Sequence, residues 1–283
     1  MFDFPEIFAL PLGEWINIAV DWLTVTLSSV FNIITIGIRT PLVYIERFLW
    51  WIPWWALILI LAILAWKVAR HWVATVTVIG LLFIGLIGLW DHTMTTLAII
   101  VTAVFVSVLI GIPLGITAAK SDRFEQSIRP ILDGMQTMPS FVYLIPAVFF
   151  FGLGKVPAVV ATFIYAVPPS IRLTNLGIRQ VAAETVEAGK AFGCTGAQLL
   201  FKIQLPLARP SIMAGVNQTI MMALAMVVIA SMIGASGLGL EVLRGIERLD
   251  VGRGFLAGFA IVIVAIIIDR ISQAFGRAGT TRK

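Results

Sequence analysis

The stretch Glu187–Pro206, EAGKAFGCTGAQLLFKIQLP, decides how the rest of this chain is read. It is a moderately polar island with strongly apolar sequence before and after it. Gly193 interrupts a helical pattern that begins near Glu184. Thr195, followed three residues later by Gln198, predicts a capped start for a second short helix that ends before Pro206. Two short helices in a bend are therefore expected, with Gly193 permitting the tight turn and Pro206 stopping the second helix. The unit holds no nucleophile beside a base and no metal-spaced cluster, so it suits a partner's groove better than a reaction.

The flanking sequence identifies the solvent. Of 283 residues, 59% are hydrophobic and 12% charged, and the mean hydropathy is +1.00. A soluble domain has about 45–50% apolar and about 25% charged residues, so water is the wrong medium for most of this surface. A membrane helix needs roughly 17–25 mainly apolar residues, and the chain supplies about six or seven such segments. The formal charge of +5 does not point to nucleic acid, because the Lys and Arg residues sit at the ends of apolar runs, where they orient a protein in a bilayer. Cys194 is the single cysteine, so no intrachain disulfide forms and a packing role is expected for its sulfur. The start, MFDFPEIFALP, is acidic where a signal peptide would be basic, and no cleaved signal is expected.

Working outward to the N-terminus, Asn17, Asp21, Thr24, Ser28, Asn32, Thr35 and Arg39 recur at steps of three and four. That places them along one face of a helix spanning Trp15 to Arg39 and predicts an amphipathic, interfacial segment over residues 1–48. The alternative is a first transmembrane helix whose polar stripe faces the bundle. Two scaffold spans are expected over 49–90, from Trp50 to Trp66 and from Trp72 to Trp90, framed by tryptophans that favour the headgroup level. A core of about five spans follows over 93–271. Thr93–Ala119 carries Gly111, Pro113 and Gly115 as kink or close-packing positions, and Lys120–Arg129 reads as a basic loop.

Pro130–Phe151 and Val156–Ile171 each contain prolines and read as the least regular, most pathway-like pair. A loop from Arg172 to Arg209 contains the opening motif, with its helices over 184–206. Spans Ser211–Ile233 and Gly254–Ile268 and a basic tail over 272–283 complete the chain. The distribution of Lys and Arg supports seven spans, an outside N-terminus and a C-terminus on the side of the motif loop.

The motif also carries a resemblance. Glu187, Ala188, Gly193, Ile203, Leu205 and Pro206 resemble the EAA-loop signature of permease subunits of bacterial ABC importers, with Gly189 where a second alanine usually stands. Leu132–Gly154, Tyr165–Ile178, Leu200–Gly234 and Val242–Gly254 are similar to the glycine betaine/proline/choline branch of these permeases. The resemblance implies an all-α polytopic fold of the type I importer class and a place in the bacterial inner membrane. It also implies a homodimer, a cytoplasmic ATPase that holds ATP and Mg, and a periplasmic or lipid-anchored binding protein that delivers a quaternary ammonium osmolyte. No cofactor is expected on this chain. Glu187, Ala188, Gly189, Gly193, Ile203, Leu205 and Pro206 would then couple to the ATPase.

Met135, Gln136, Thr137, Met138, Phe141 and Tyr143, beside the broken segment, and Asn217, Gln218 and Thr219, on a later span, are the pathway candidates. For Asn217 and Gln218 the alternative is plain interhelical hydrogen bonding. Gly152–Lys155 lacks the spacing of a phosphate-binding loop, and His71 and His92 are too separate for a shared metal site. Another ABC importer substrate, such as an amino acid, remains an alternative. So does a stand-alone channel or ion-coupled transporter, although such a protein would be expected to carry ionisable residues within its spans.

Overall fold

The computed structural model describes residues 11–277, and over these the chain is helical throughout, with no strand. The expectations for the N-terminal residues before Pro11 and for Arg282 and Lys283 lie outside the described residues. Among the described residues five helices are long and apolar enough to cross a membrane, or six if one sharply bent pair counts as a span.

The single helix expected from Trp15 to Arg39 is instead two, α1 (Leu12–Thr26) and α2 (Ser28–Trp51), with the break at Leu27. The run Thr24-Val25-Thr26-Leu27-Ser28-Ser29 combines β-branched residues with hydroxyls that compete for backbone groups; Thr24 Oγ1 donates to the Val20 carbonyl at 2.8 Å. α2 meets the length and composition of a span, so its polar stripe does not by itself make it interfacial. It buries Ile38 and Leu42 in a core shared with later helices. The scaffold hairpin follows as α3 (Trp54–Val68) and α4 (His71–Leu86). At 15 and 16 residues these helices are shorter than the expected spans, because Trp90 belongs not to α4 but to the first turn of the next helix.

That helix, α5 (Trp90–Lys120), runs parallel to α9 (Pro168–Arg179) and antiparallel to α12 (Leu205–Ser231). Glycine sets the closeness of approach. A Cβ on Gly115 would stand 2.7 Å from the Ile171 carbonyl oxygen and 2.6 Å from Thr174 Cβ, and one on Gly215 would stand 3.1 Å from the Pro169 carbonyl oxygen. Gly111 and Gly115 thus form a small-xxx-small face against α9. The prolines of Pro168–Pro169 do not interrupt the chain. They occupy the first turn of α9, where no backbone N–H is required, and Val167 keeps a helical conformation, so α8 (Lys155–Ala166) and α9 form one 25-residue candidate span. The helix therefore continues to Arg179, past the expected loop start at Arg172.

The irregularity lies one segment earlier. Lys120–Arg129 is not a loop: Ser121 accepts a hydrogen bond from the Phe124 N–H and caps α6 (Asp122–Thr137), with Asp122 and Glu125 in its first turn. After Met138–Pro139 a 3-10 turn, Ser140–Tyr143, leads into α7 (Leu144–Phe151), bent by 112° from α6. The ion pair between Arg179 and Asp122, at 2.7 Å, and the hydrogen bond from Arg179 Nη2 to the Ala118 carbonyl, at 2.8 Å, tie the ends of α5, α6 and α9 together. We refer to this as the hairpin end, because α10 (Ala183–Ala191) and α11 (Gly196–Gln198) follow there.

At the far end, the Gly154 N–H donates to the Ile233 carbonyl at 2.9 Å, joining the α7–α8 turn to the end of α12. The charged loop expected between the last two spans is a helix, α13 (Leu238–Glu247), packed tightly on α14 (Val251–Arg277). Glycine again sets the spacing, since a Cβ on Gly245 would meet Gly254 Cα at 2.5 Å. Asp269 and Arg270 do not end the last helix. Two large apolar clusters form the core, one among α2, α5, α7, α8 and α12, the other among α3, α4, α5, α8, α12, α13 and α14; α5, α8 and α12 serve both.

Candidate functional site: a bent helical hairpin

The hairpin is built from local signals. α10 ends in a Schellman turn: Gly193, at φ +77°, donates its N–H to the Lys190 carbonyl at 2.9 Å, and the Cys194 N–H reaches the Gly189 carbonyl at 3.0 Å. The left-handed conformation at Gly193 is one that a side chain with a Cβ adopts only under strain. Thr195 and Gln198 then form the reciprocal capping box that starts α11, with the Thr195 N–H to Gln198 Oε1 at 2.9 Å and the Gln198 N–H to Thr195 Oγ1 at 3.3 Å.

The expected stop at Pro206 does not occur. Leu199–Gln204 form a π-helical stretch that runs directly into α12, so Gly196–Ser231 is one 36-residue unit with Pro206 in the first turn of α12. A proline ring normally collides with the carbonyl four residues earlier; the wider π turn moves that carbonyl out of register and gives the ring room.

The two arms meet at one point. Gly189 is the buried residue of α10, and a Cβ there would lie 2.6 Å from Ile203 Cδ1 and 2.9 Å from Leu199 Cδ1. Leu199 and Leu200 are buried, while Ile203 and Leu205 are half-buried. Leu200 packs with Ile178 and Ala208, which anchors the hairpin to α9 and α12. Glu187, Ala188, Gly193 and Pro206 face outward, and among the described residues Glu187 makes no ion pair.

Two residues absent from the sequence reading stand out beside them. Phe192 is 88% exposed at the tip and Phe201 65% exposed on the second arm. Two bare phenylalanines flanking the one tight turn of a polar island were the available signal. An uncompensated carboxylate next to exposed aromatic rings on a rigid bend is equipped to seat in a concave partner.

The structure separates the pathway candidates. Met135, Gln136 and Thr137 end α6, Met138 lies in the bend, and Gln136, Thr137, Met138 and Phe141 are exposed. Tyr143 is buried: its hydroxyl donates to the Met135 carbonyl across the bend and its ring meets Tyr165 edge-on at 5.8 Å, so it staples the bend. Asn217, Gln218 and Thr219 point three ways, as consecutive helical residues must. Asn217 Nδ2 donates to Asp269 Oδ1 at 3.3 Å, and Asn217 Oδ1 accepts from the Ser272 hydroxyl, which joins α12 to α14. Thr219 is buried with no hydrogen-bond partner for its hydroxyl among the described residues, and Gln218 is exposed.

At the far end the folded chain assembles a polar centre not read from the sequence. The Glu241 side chain, 4% exposed, pairs with Arg244 at 2.8 Å and with Arg253, whose Nε donates to Glu241 Oε2 at 2.7 Å; His92 Nε2 lies 3.7 Å from the same carboxylate. Burial pushes this carboxyl up. The hydrogen bond from Arg253, the charges of His92 and Arg253 and the hydrogen bond from Arg244 outweigh it and hold Glu241 below the usual carboxylate range. A second link, Lys155 Nζ to Glu46 Oε1 at 2.6 Å with Thr95 Oγ1 donating to the same oxygen at 3.0 Å, fastens α2 to α5 and α8. Among the described residues no group of three His, Cys, Asp or Glu is arranged to hold a metal ion.

Comparison with known proteins adds four findings. The family model described as binding-protein-dependent transport system inner membrane component matches residues 111–278, which include the hairpin and the helices around it. The chain is 49% identical over 277 residues to the glycine betaine/proline betaine transport system permease protein ProW of Escherichia coli (strain K12), covering 96% of this chain and 77% of that one. It is 50% identical over 264 residues to the glycine betaine transport system permease protein OpuAB of Bacillus subtilis (strain 168), covering 93% and 94%. Among solved structures, a chain of the MetNI methionine ABC transporter in an inward-facing conformation superposes with a TM-score of 0.59 at 21% identity, over 65% of this chain and 92% of that chain, which establishes a shared fold.

Proposed function

The chain belongs to the family of binding-protein-dependent transport system inner membrane components, and from that premise we propose that it is the permease subunit of an ATP-driven importer for glycine betaine-like quaternary ammonium solutes. The observation that carries the coupling half of this reading is the hairpin itself: Glu187 and Phe192 face outward on a bend whose inner side is closed by Gly189 against Ile203. The substrate half is supported by the solutes for which the relatives are named. Glycine betaine and proline betaine each join a permanently cationic, methylated nitrogen to a carboxylate, a head group that aromatic faces and uncharged dipoles hold weakly enough to release.

In this reading two copies of the chain form the membrane passage. The Glu187–Pro206 hairpin of each docks on a cytoplasmic ATPase that holds ATP and Mg, and a binding protein delivers solute at the far end. Lys120, Arg123, Arg129, Arg172, Arg179, Lys190, Lys202 and Arg209 cluster toward the hairpin end, which supports a cytoplasmic location for it and for the end of α14. The N-terminal segment lies outside. In support, α2 touches both arms of the α7–α8 hairpin: Phe31 stacks on Phe150 of α7 at 4.7 Å, and Glu46 pairs with Lys155 at the start of α8. Those α2 residues are roughly 22 Å apart along the helix, so α2 runs across the hairpin formed by α7 and α8.

The test is reconstitution into vesicles with the cognate ATPase and binding protein, reading uptake of labelled glycine betaine. Uptake is expected when all three components and ATP are present. Glu187→Leu is expected to lower uptake and solute-stimulated ATP hydrolysis while membrane insertion is unchanged. Vectorial uptake by the chain alone, or full coupled transport by Glu187→Leu, would overturn the reading.

A further inference from the structure

α12 packs against α5, α8, α9, α13 and α14, yet one face stays bare from its first turn to its C-cap, Met232. Leu207, Pro210, Ala214, Gln218, Met221, Ala225 and Met232 are all exposed. At 100° per residue they fall within an arc of roughly 80°, a single stripe. Its opposite side carries Ala208, Gly215, Thr219, Ala223, Met226 and Ala230, all buried. Among the described residues no other element covers the stripe.

Its composition says what does not lie against it. Gln218 is thirteen residues from each end of α12 (Leu205–Ser231), about 20 Å from either, which puts a carboxamide at the middle of the span. Hydrocarbon offers no partner for its donors and acceptor, and polar groups at that depth face protein or a water-filled cavity. Asn217, one residue away, shows the protein solution: it is bonded to α14. Gln218 has no such partner among the described residues and shares its face with two alanines, which permit close approach, and two methionines, whose flexible thioethers adapt to changing contacts.

We propose that this stripe faces a second copy of the chain across a water-accessible passage, with Gln218 as the polar contact that the solute meets at the bilayer midplane. The inference rests on the importer reading above and narrows it. Of the three consecutive candidates on α12 it selects Gln218, and it adds Ala214, Met221 and Ala225, which the sequence reading did not single out. An uncharged amide suits the task, since its carbonyl oxygen turns toward a methylated ammonium and its NH2 toward a carboxylate, without the charge that would hold either too long.

The test uses the complete transporter in vesicles. Ala214→Cys, Gln218→Cys, Met221→Cys and Ala225→Cys are made singly, with the parent chain, which has only Cys194, and Ile79→Cys on the exposed face of α4 as controls. A short bismaleimide is expected to join two copies at several of the four positions, doubling the apparent mass on a gel, and not at 79. A charged, membrane-impermeant thiol reagent is expected to modify Gln218→Cys, with slower modification when glycine betaine is saturating.

Modification by lipid-soluble maleimide alone, without cross-linking, would overturn the proposal by placing the stripe against lipid. Cross-linking without aqueous modification would overturn the passage, leaving a dry seam. ATP-driven uptake by the parent is measured in the same vesicles, so failure of the importer reading registers separately from failure of this face.

Discussion

Replacing Gly189 tests whether the closeness of the hairpin's two arms, and not the charge on its surface, sets its rigidity. In Gly189→Ala the new Cβ meets Ile203 Cδ1 at 2.6 Å and Leu199 Cδ1 at 2.9 Å, both the far ends of flexible side chains. Displacing each by about 1 Å forces off-ideal rotamers at about 0.5–1.5 kcal/mol, against about 0.8–1.0 kcal/mol gained in helix propensity. With two side chains displaced the cost is about 1–3 kcal/mol, so the net effect lies between zero and a loss of about 2 kcal/mol. Gly189→Val adds two further carbons in the same space and a less helical residue, which overpacks the contact by about 1–3 kcal/mol. α10 has nine residues and is too short to hold its shape alone, so that loss falls on its docking to the π turn. At about 1.4 kcal/mol per tenfold, the undocked population rises about 5- to 140-fold.

Hydrogen exchange over residues 183–205 reads the docking directly, and solute-stimulated ATP hydrolysis in vesicles reads its consequence. We expect Gly189→Ala to fall between the parent and Gly189→Val in both assays, and Gly189→Val to exchange faster and couple poorly with Glu187 still in place. Equal damage from Ala and Val, or unchanged exchange in Val, would refute the packing argument.

Three other outcomes follow from the same structure. Phe192→Ala, at a site that is already 88% exposed, should leave thermal stability within about 0.5 kcal/mol of the parent but weaken ATPase binding about 10- to 100-fold in a titration, as loss of an interface anchor does. Gly115→Leu should prevent recovery of folded protein in detergent, because the side chain is driven into the Ile171 carbonyl and Thr174, neither of which has room to move. Glu241→Ala should lower stability by about 1–3 kcal/mol, less than a fully buried pair would lose, because Arg244 and Arg253 are partly exposed and find water. Since the folded state holds this carboxyl below its ordinary value, its contribution is complete above the unfolded carboxylate range. It is lost as pH falls through the lowered value, so parent and variant should converge in unfolding temperature only in acid. A gap that persists at acid pH would show that the cluster is not stabilised by the charge of Glu241.

What the sequence decided by itself is whatever depends on a few neighbouring residues. The Schellman turn at Gly193 and the Thr195/Gln198 capping box formed as their spacing predicts, because each is a hydrogen-bond circuit closed within six residues. The cap at Ser121, with Asp122 and Glu125 behind it, was equally legible as a helix start, but was hidden by reading Lys120–Arg129 for charge alone. Apolar length revealed the membrane class, since hydrocarbon thickness is a property of the solvent.

What only the tertiary structure decided is which side of each helix is occupied. Pro206 should stop a helix by local rules, yet the chain passes it through a π turn whose Leu199 and Leu200 are held by packing. Asn217, Gln218 and Thr219 read as one polar cluster, yet they end on α14, on the bare face and in the core. Glu241 meets His92 across more than half the chain. One residue of rotation turns a side chain by 100°, and which neighbour waits there is set by the approach of helices distant in sequence, through glycines such as Gly115 and Gly215.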